Sequence, residues 1–172
     1  MQNYFEHFGI PIAYEINIDQ LRKLYYQKSR EIHPDLNLTE ADQEFQTAFT
    51  NQAYKTLLNP LSRLKYSIEL VSGPILEQMQ ALPQEFLIQM MELHESIFEA
   101  KEMKDSARLE QLIATLGQFE SEAKNDIVPV IKNFDSGAYN TDIIAQMKFY
   151  YFKLKYFLRL RENISNSENE IN

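Results

Sequence analysis

The tripeptide His33-Pro34-Asp35 does most to limit how this chain can fold. It follows directly on a basic run with helical period, Leu21-Arg22-Lys23-Leu24-Tyr25-Tyr26-Gln27-Lys28-Ser29-Arg30-Glu31-Ile32. A proline restricts the residue before it to extended backbone, so a helix running through Ile32 must close at His33. Beyond a short polar stretch, Phe45-Gln46-Thr47-Ala48-Phe49-Thr50-Asn51-Gln52-Ala53-Tyr54 opens a second apolar-periodic run. Helix, tripeptide turn, helix is the order these residues dictate.

The remaining punctuation extends an all-helical reading. Tyr4 to Phe8 reads as a short first helix closed by Gly9 and Pro11. Asp19 is a candidate N-cap for the second helix, with Leu21, Leu24, Tyr25, Lys28 and Ile32 on its inner stripe. Thr39 caps the third, whose inner face is expected to carry Phe45, Ala48, Phe49, Gln52, Ala53 and Leu57. Pro60 interrupts, a fourth helix covers 61–71, and Ser72-Gly73-Pro74 divides the chain into domains at 1–72 and 76–172. After the break, Pro83 begins a helix to about Met103, and Asp105 or Ser106 caps the next. That next helix has its stripe at Leu109, Leu112, Ile113, Leu116, Phe119, Ala123, Ile127, Ile131 and Phe134. Pro129 falls inside the stripe, where a kink or an early end is expected. A turn at Asp135-Ser136-Gly137 leads to a last helix from 138 or 139 to about Ile164, and the polar tail from Ser165 should fray. Three helices joined by short loops make a bundle.

Composition removes several function classes. With no cysteine and three scattered histidines, disulfides, a thiol nucleophile and a zinc site are not expected. A net charge of −8 argues against general nucleic-acid binding. No apolar stretch approaches the ~20 residues of a membrane span. The first residues lack the pattern of a signal peptide, so a soluble cytoplasmic protein without a cofactor is expected. Against the acidic background, Arg22, Tyr26 and Arg30 recur every fourth residue beside Lys23 and Gln27. This stripe either steers an acidic partner or is a solvated face. An enzyme using His33 and Asp35 is disfavoured, because no nucleophile lies nearby in sequence.

Residues 1 to about 72 resemble a J domain, the module that switches on the ATPase of DnaK-type chaperones. The chain as a whole resembles the HscB-type co-chaperones of iron–sulfur cluster assembly. The resemblance is carried by Tyr4-Phe5-Glu6-His7-Phe8-Gly9-Ile10-Pro11, His33-Pro34-Asp35, Leu58-Asn59-Pro60-Leu61-Ser62-Arg63-Leu64-Lys65-Tyr66, Glu92-Leu93-His94-Glu95 and Lys104-Asp105-Ser106-Ala107-Arg108-Leu109-Glu110. It implies a J domain, formed as a helical hairpin with the His-Pro-Asp loop, followed by a C-terminal three-helix bundle, L-shaped overall, in a protein that is not an enzyme. It further implies an HscA/DnaK-type chaperone as partner of His33, Pro34, Asp35, Arg22, Lys23, Tyr26 and Arg30. An IscU-type scaffold would meet Leu87, Met91, Glu92, His94, Glu95 and Phe149. ATP and the cluster would belong to those partners. A J-domain adaptor for another client is the alternative. By spacing alone Leu87, Met91 and Phe149 read as bundle core, and only the resemblance makes them interface; the run Phe149-Tyr150-Tyr151-Phe152 either covers more of the scaffold or fills the bundle.

Overall fold

The computed structural model describes residues 2–32, 39–76 and 82–166. Among them the regular elements are seven helices: α1 (Tyr4–His7), α2 (Ile18–Glu31), α3 (Glu40–Leu58), α4 (Pro60–Ser72), α5 (Gln84–Glu102), α6 (Ser106–Asp135) and α7 (Thr141–Asn166). They pack as two compact units. One comprises Met1–Pro74 with Ile131–Asn140, the other Ile75–Val130 with Thr141–Asn172. His33, Pro34 and Asp35 lie outside the described residues, as does the tail beyond 166.

In the N-terminal unit each helix start has a local cause. Asn3 and Glu6 form a reciprocal capping box on α1. α2 begins earlier than Asp19, because the Asn17 side chain accepts the Gln20 N–H at 2.9 Å and takes the N-cap. Asp19 falls in the first turn, where a carboxylate favours the helix dipole. Thr39 caps α3 as expected, and Asn59 caps α4 with Pro60 at its first position. α4 ends at Gly73, whose φ of +78° suits glycine best.

The core of this unit is Phe5, Phe8, Leu21, Ala53 and Leu57, joined by Leu64 and Ile68 of α4. α2 delivers its stripe as read, with Leu21 buried and Leu24, Tyr25, Lys28 and Ile32 half-buried. Tyr25 stacks on Tyr54 at 4.1 Å and donates to Asn51 Oδ1 at 2.8 Å, fastening α2 to α3. The inner face of α3 differs from expectation. Phe45 is 63% exposed, Ala48 and Gln52 are exposed, and the buried positions are Thr50, Ala53 and Leu57. The face is turned by one residue because α1 meets α3 at its middle. Phe49 packs edge-on against Tyr4 and His7, and His7 Nε2 meets Thr50 Oγ1 at 2.9 Å. That hydrogen bond lets a polar threonine occupy a fully buried site.

Arg63, 6% exposed, organises the far side. Its Nε donates to the Tyr14 carbonyl at 2.7 Å, and its Nη1 donates to the Leu57 and Leu58 carbonyls at the end of α3. Tyr14 and Glu15 give their N–H groups to the Asp135 carboxylate at 2.7 and 3.0 Å. Burial lowers the Arg63 pKa, and the charges of Tyr14, Glu15 and Asp135 oppose that shift.

In the second unit, Asp105 caps α6 by accepting the Arg108 N–H at 3.0 Å. α6 does not end at Pro129; it continues to Asp135. A proline forfeits one backbone bond, and the burial of Ile127 before it and Ile131 and Phe134 after it keeps the helix going. α5 buries Phe86, Met90, Leu93, Ile97 and Ala100. α7 answers with Ile143, Met147, Tyr150, Tyr151, Phe152, Phe157, Leu160 and Ile164. Three of the four residues in the aromatic run are therefore core. Arg161 grips the Glu120 carboxylate with two bonds of 2.7 and 2.5 Å, tying α7 to α6.

Two stability tests follow from the N-terminal unit. Arg63→Met strands three carbonyls and should cost at least about 3 kcal/mol, since each stranded buried polar group costs roughly 1–3 kcal/mol. Asp135→Ala should cost roughly 1–3 kcal/mol on the same basis. Urea denaturation measures both. Burial, then the Lys28 ammonium, holds the His7 imidazole below the free value of 6.5, against a smaller opposing pull from Glu31. The unfolded chain therefore binds the proton first, and stability should fall as pH drops through about 6.5 toward the folded value. His7→Gln should flatten that slope in denaturation series at stepped pH.

Candidate functional site: two surfaces on separate units

The outer face of α2 is a shallow concavity lined by Lys23, Tyr26, Gln27, Arg30 and Glu31. Tyr26 stands 64% exposed at its centre. The two acids that flank the basic run are both engaged. Asp19 pairs with Arg22 at 3.1 Å, and Glu31 pairs with Lys28 at 3.1 Å while accepting from Gln27. The Lys28 and Gln27 hydrogen bonds are the main reasons the Glu31 carboxyl sits below its ordinary pKa. Lys23 and Arg30 have no ion pair among the described residues. Of the basic stripe, then, Lys23 and Arg30 carry the uncompensated charge, and Arg22 must exchange Asp19 for any new partner.

On the second unit the exposed side of α5 meets α7 in a groove of about 280 Å³. It is lined by Met90, Met91, His94, Glu95, Tyr156, Arg159, Leu160 and Asn163. Met91, 64% exposed, forms its lip. Leu87 is half-buried one turn earlier, and Glu92 is exposed beside the groove. The α7 side is set by Phe86, whose ring meets Tyr156 and Phe157 edge-on at 5.9 and 5.8 Å and carries the Lys153 ammonium above it. The structure thus gathers Met91, His94 and Glu95, with Leu87 adjoining. Phe149 is half-buried and lies seven residues before Tyr156 on α7, about 10 Å along the axis, and does not line the groove.

Tyr156, Arg159 and the exposed Ile88 were not singled out from sequence. Ile88 was legible, because it sits off the 86/90/93/97 stripe that fills the core. Tyr156 was not, because nothing local in α7 announces that Phe86 of another helix lies against it.

A family model described as the HSCB C-terminal oligomerisation domain matches residues 82–165. The co-chaperone protein HscB homologues of Shewanella amazonensis and Shewanella halifaxensis are 27% and 26% identical over 178 and 176 residues, each match covering 98% of both chains. Human co-chaperone HscB aligns with a TM-score of 0.76 at 25% identity, over 98% of this chain and 83% of that one. Chaperone HscB from Vibrio cholerae gives 0.65 at 27% identity over 99% of each, and the Jac1 co-chaperone of Saccharomyces cerevisiae 0.63 at 25%, over 96% and 94%.

The described helices resemble those of HscB structures, which have an N-terminal J domain and a C-terminal helical bundle, the architecture of a co-chaperone. Together these matches, the two curated ones spanning 98% of the chain, support an HscB-type co-chaperone.

Neighbouring methionines separate groove from core. Met90, 2% exposed, should cost about 2–5 kcal/mol when replaced by alanine, and Met91→Ala should change stability by no more than about 0.5 kcal/mol. Chemical denaturation of the two variants reads this directly.

Proposed function

We propose that the protein binds an IscU-type scaffold through its bundle and hands it to an HscA/DnaK-type chaperone, whose ATPase its J domain stimulates. The chaperone contact uses Lys23, Arg30, Tyr26 and Arg22 together with His33, Pro34 and Asp35. The scaffold contact uses Leu87, Met91, Glu92, His94 and Glu95, extended onto α7 at Tyr156; Phe149 is peripheral to it. The division of labour follows residues 1–72 and 76–172, in the cytoplasm. No reaction is assigned to the chain itself, and ATP and the cluster remain with the partners.

The observation that carries this reading is the pair of uncompensated cations flanking an exposed tyrosine on the helix that leads into His33-Pro34-Asp35. An acidic chaperone surface is drawn by such a patch from a distance, whereas the overall charge of −8 repels it elsewhere. On the second unit, an apolar groove with polar groups at its edge suits a reversible protein contact. Carrying both contacts on one chain raises the concentration of scaffold beside the chaperone without any new interaction.

Chaperone ATPase turnover, measured with and without the scaffold, tests both halves. Asp35→Ala should abolish stimulation while scaffold binding and helical content persist. Arg30→Glu with Lys23→Glu should slow chaperone association, and raised salt should mimic it, because screening confines exposed charges to ~8 Å at physiological ionic strength. Undiminished stimulation by Asp35→Ala would sink the J-domain mechanism.

A further inference from the structure

α5 is apolar on two sides. One stripe, Phe86, Met90, Leu93, Ile97 and Ala100, fills the bundle. Ile88, Met91 and Phe98 are 46%, 64% and 60% exposed. A surface helix needs only one apolar stripe to fold, so the second is unexplained by stability. Phe98 follows Met91 by seven residues, which returns it to nearly the same azimuth about 10 Å further along the helix. Glu95 and His94 lie between them and line the groove with Met91. Phe98 therefore continues the line of the groove residues along α5 without itself lining the groove.

Charge around this line is one-sided. Glu92, Glu95 and Glu102 are exposed and have no ion pair among the described residues, and Glu99 is offset by Arg108 at 3.1 Å. Of the nearby cations, Lys101 donates to the Asn163 carbonyl, leaving Arg159 at the groove as the opposing charge. An apolar line edged by carboxylates matches an apolar protein surface edged by lysine or arginine.

We propose that Phe98 is a second anchor of the scaffold-binding surface, engaged together with Met91, against a partner surface that presents an apolar seat flanked by basic side chains. This inference rests on the scaffold reading given above and adds to it a residue that the groove itself does not contain. A buried aromatic at the centre of a contact carries a disproportionate share of affinity, and Phe98 is the one aromatic on this line.

Calorimetric titration with a purified IscU-type scaffold, beside sedimentation of the free protein, provides the test. Phe98→Ala should weaken scaffold binding at least about tenfold with an unchanged melting temperature, as expected for an interface anchor that is solvent-exposed in the free protein. Phe98→Leu should retain most of the affinity, and Phe98→Glu should lose more than alanine does. If Met91→Ala weakens binding and Phe98→Ala does not, the second anchor is wrong and the scaffold reading stands. If neither variant weakens binding, the scaffold reading itself falls. A Phe98→Ala variant that binds scaffold normally but loses self-association would assign the line to a second copy of this chain and overturn the proposal.

Discussion

The N-terminal unit depends on a buried cation, Arg63, that has no carboxylate in direct contact among the described residues. Arg63 spends its donors on main-chain carbonyls, two at the end of α3 and one at Tyr14. A helix ends with carbonyls that lack intrahelical partners, and here a guanidinium from the next helix supplies them. The same group fixes the loop that precedes α2. Because Asp135 holds that loop by its N–H groups while Arg63 holds it by a carbonyl, the Tyr14–Glu15 backbone is satisfied on both edges. The position of α2, and with it the basic face, follows from how this loop is pinned.

The two candidate surfaces reflect different physics. On α2 the apolar stripe is narrow, and the outward side is free to carry charge; function there costs little stability. On α5 apolar residues occupy a second side, and the exposed methionine and phenylalanine contribute nothing to the bundle's own core. Exposure of that kind is retained against solubility, and the surrounding glutamates limit indiscriminate association.

Sequence reading captured the elements because proline, glycine and capping residues set their limits locally. Asn59-Pro60, Gly73 and Thr39 act where they stand. The failures share one cause. The register of α3 depends on α1 meeting its middle, so Phe45 looked internal by periodicity and is exposed. The persistence of α6 through Pro129 depends on burial on both sides of it. Asn17 displaced Asp19 as a cap because two competent residues lay two positions apart and only one suited the backbone. At the candidate site, Met91, His94 and Glu95 share a short helical stretch and were found together. Tyr156 reaches them from across the bundle, whereas Phe149 matched in residue type but sits two turns away from the groove.

The engagement of Asp135 with Tyr14 and Glu15 also has a consequence for biogenesis. The N-terminal unit is discontinuous in sequence, since it includes Ile131–Asn140. A ribosome that has made the first 74 residues has therefore not yet supplied all of that unit. Closing a contact across more than a hundred residues carries a loop-closure cost, although that cost grows only slowly with length. Synthesis proceeds at roughly 5–20 residues per second, so the wait for Asp135 lasts seconds. Over that interval the loop before α2 lacks the Asp135 carboxylate and keeps its hydrogen bonds to Arg63 and Ser67, and the emerging hairpin must rely on the Tyr25–Tyr54 stack and its small core.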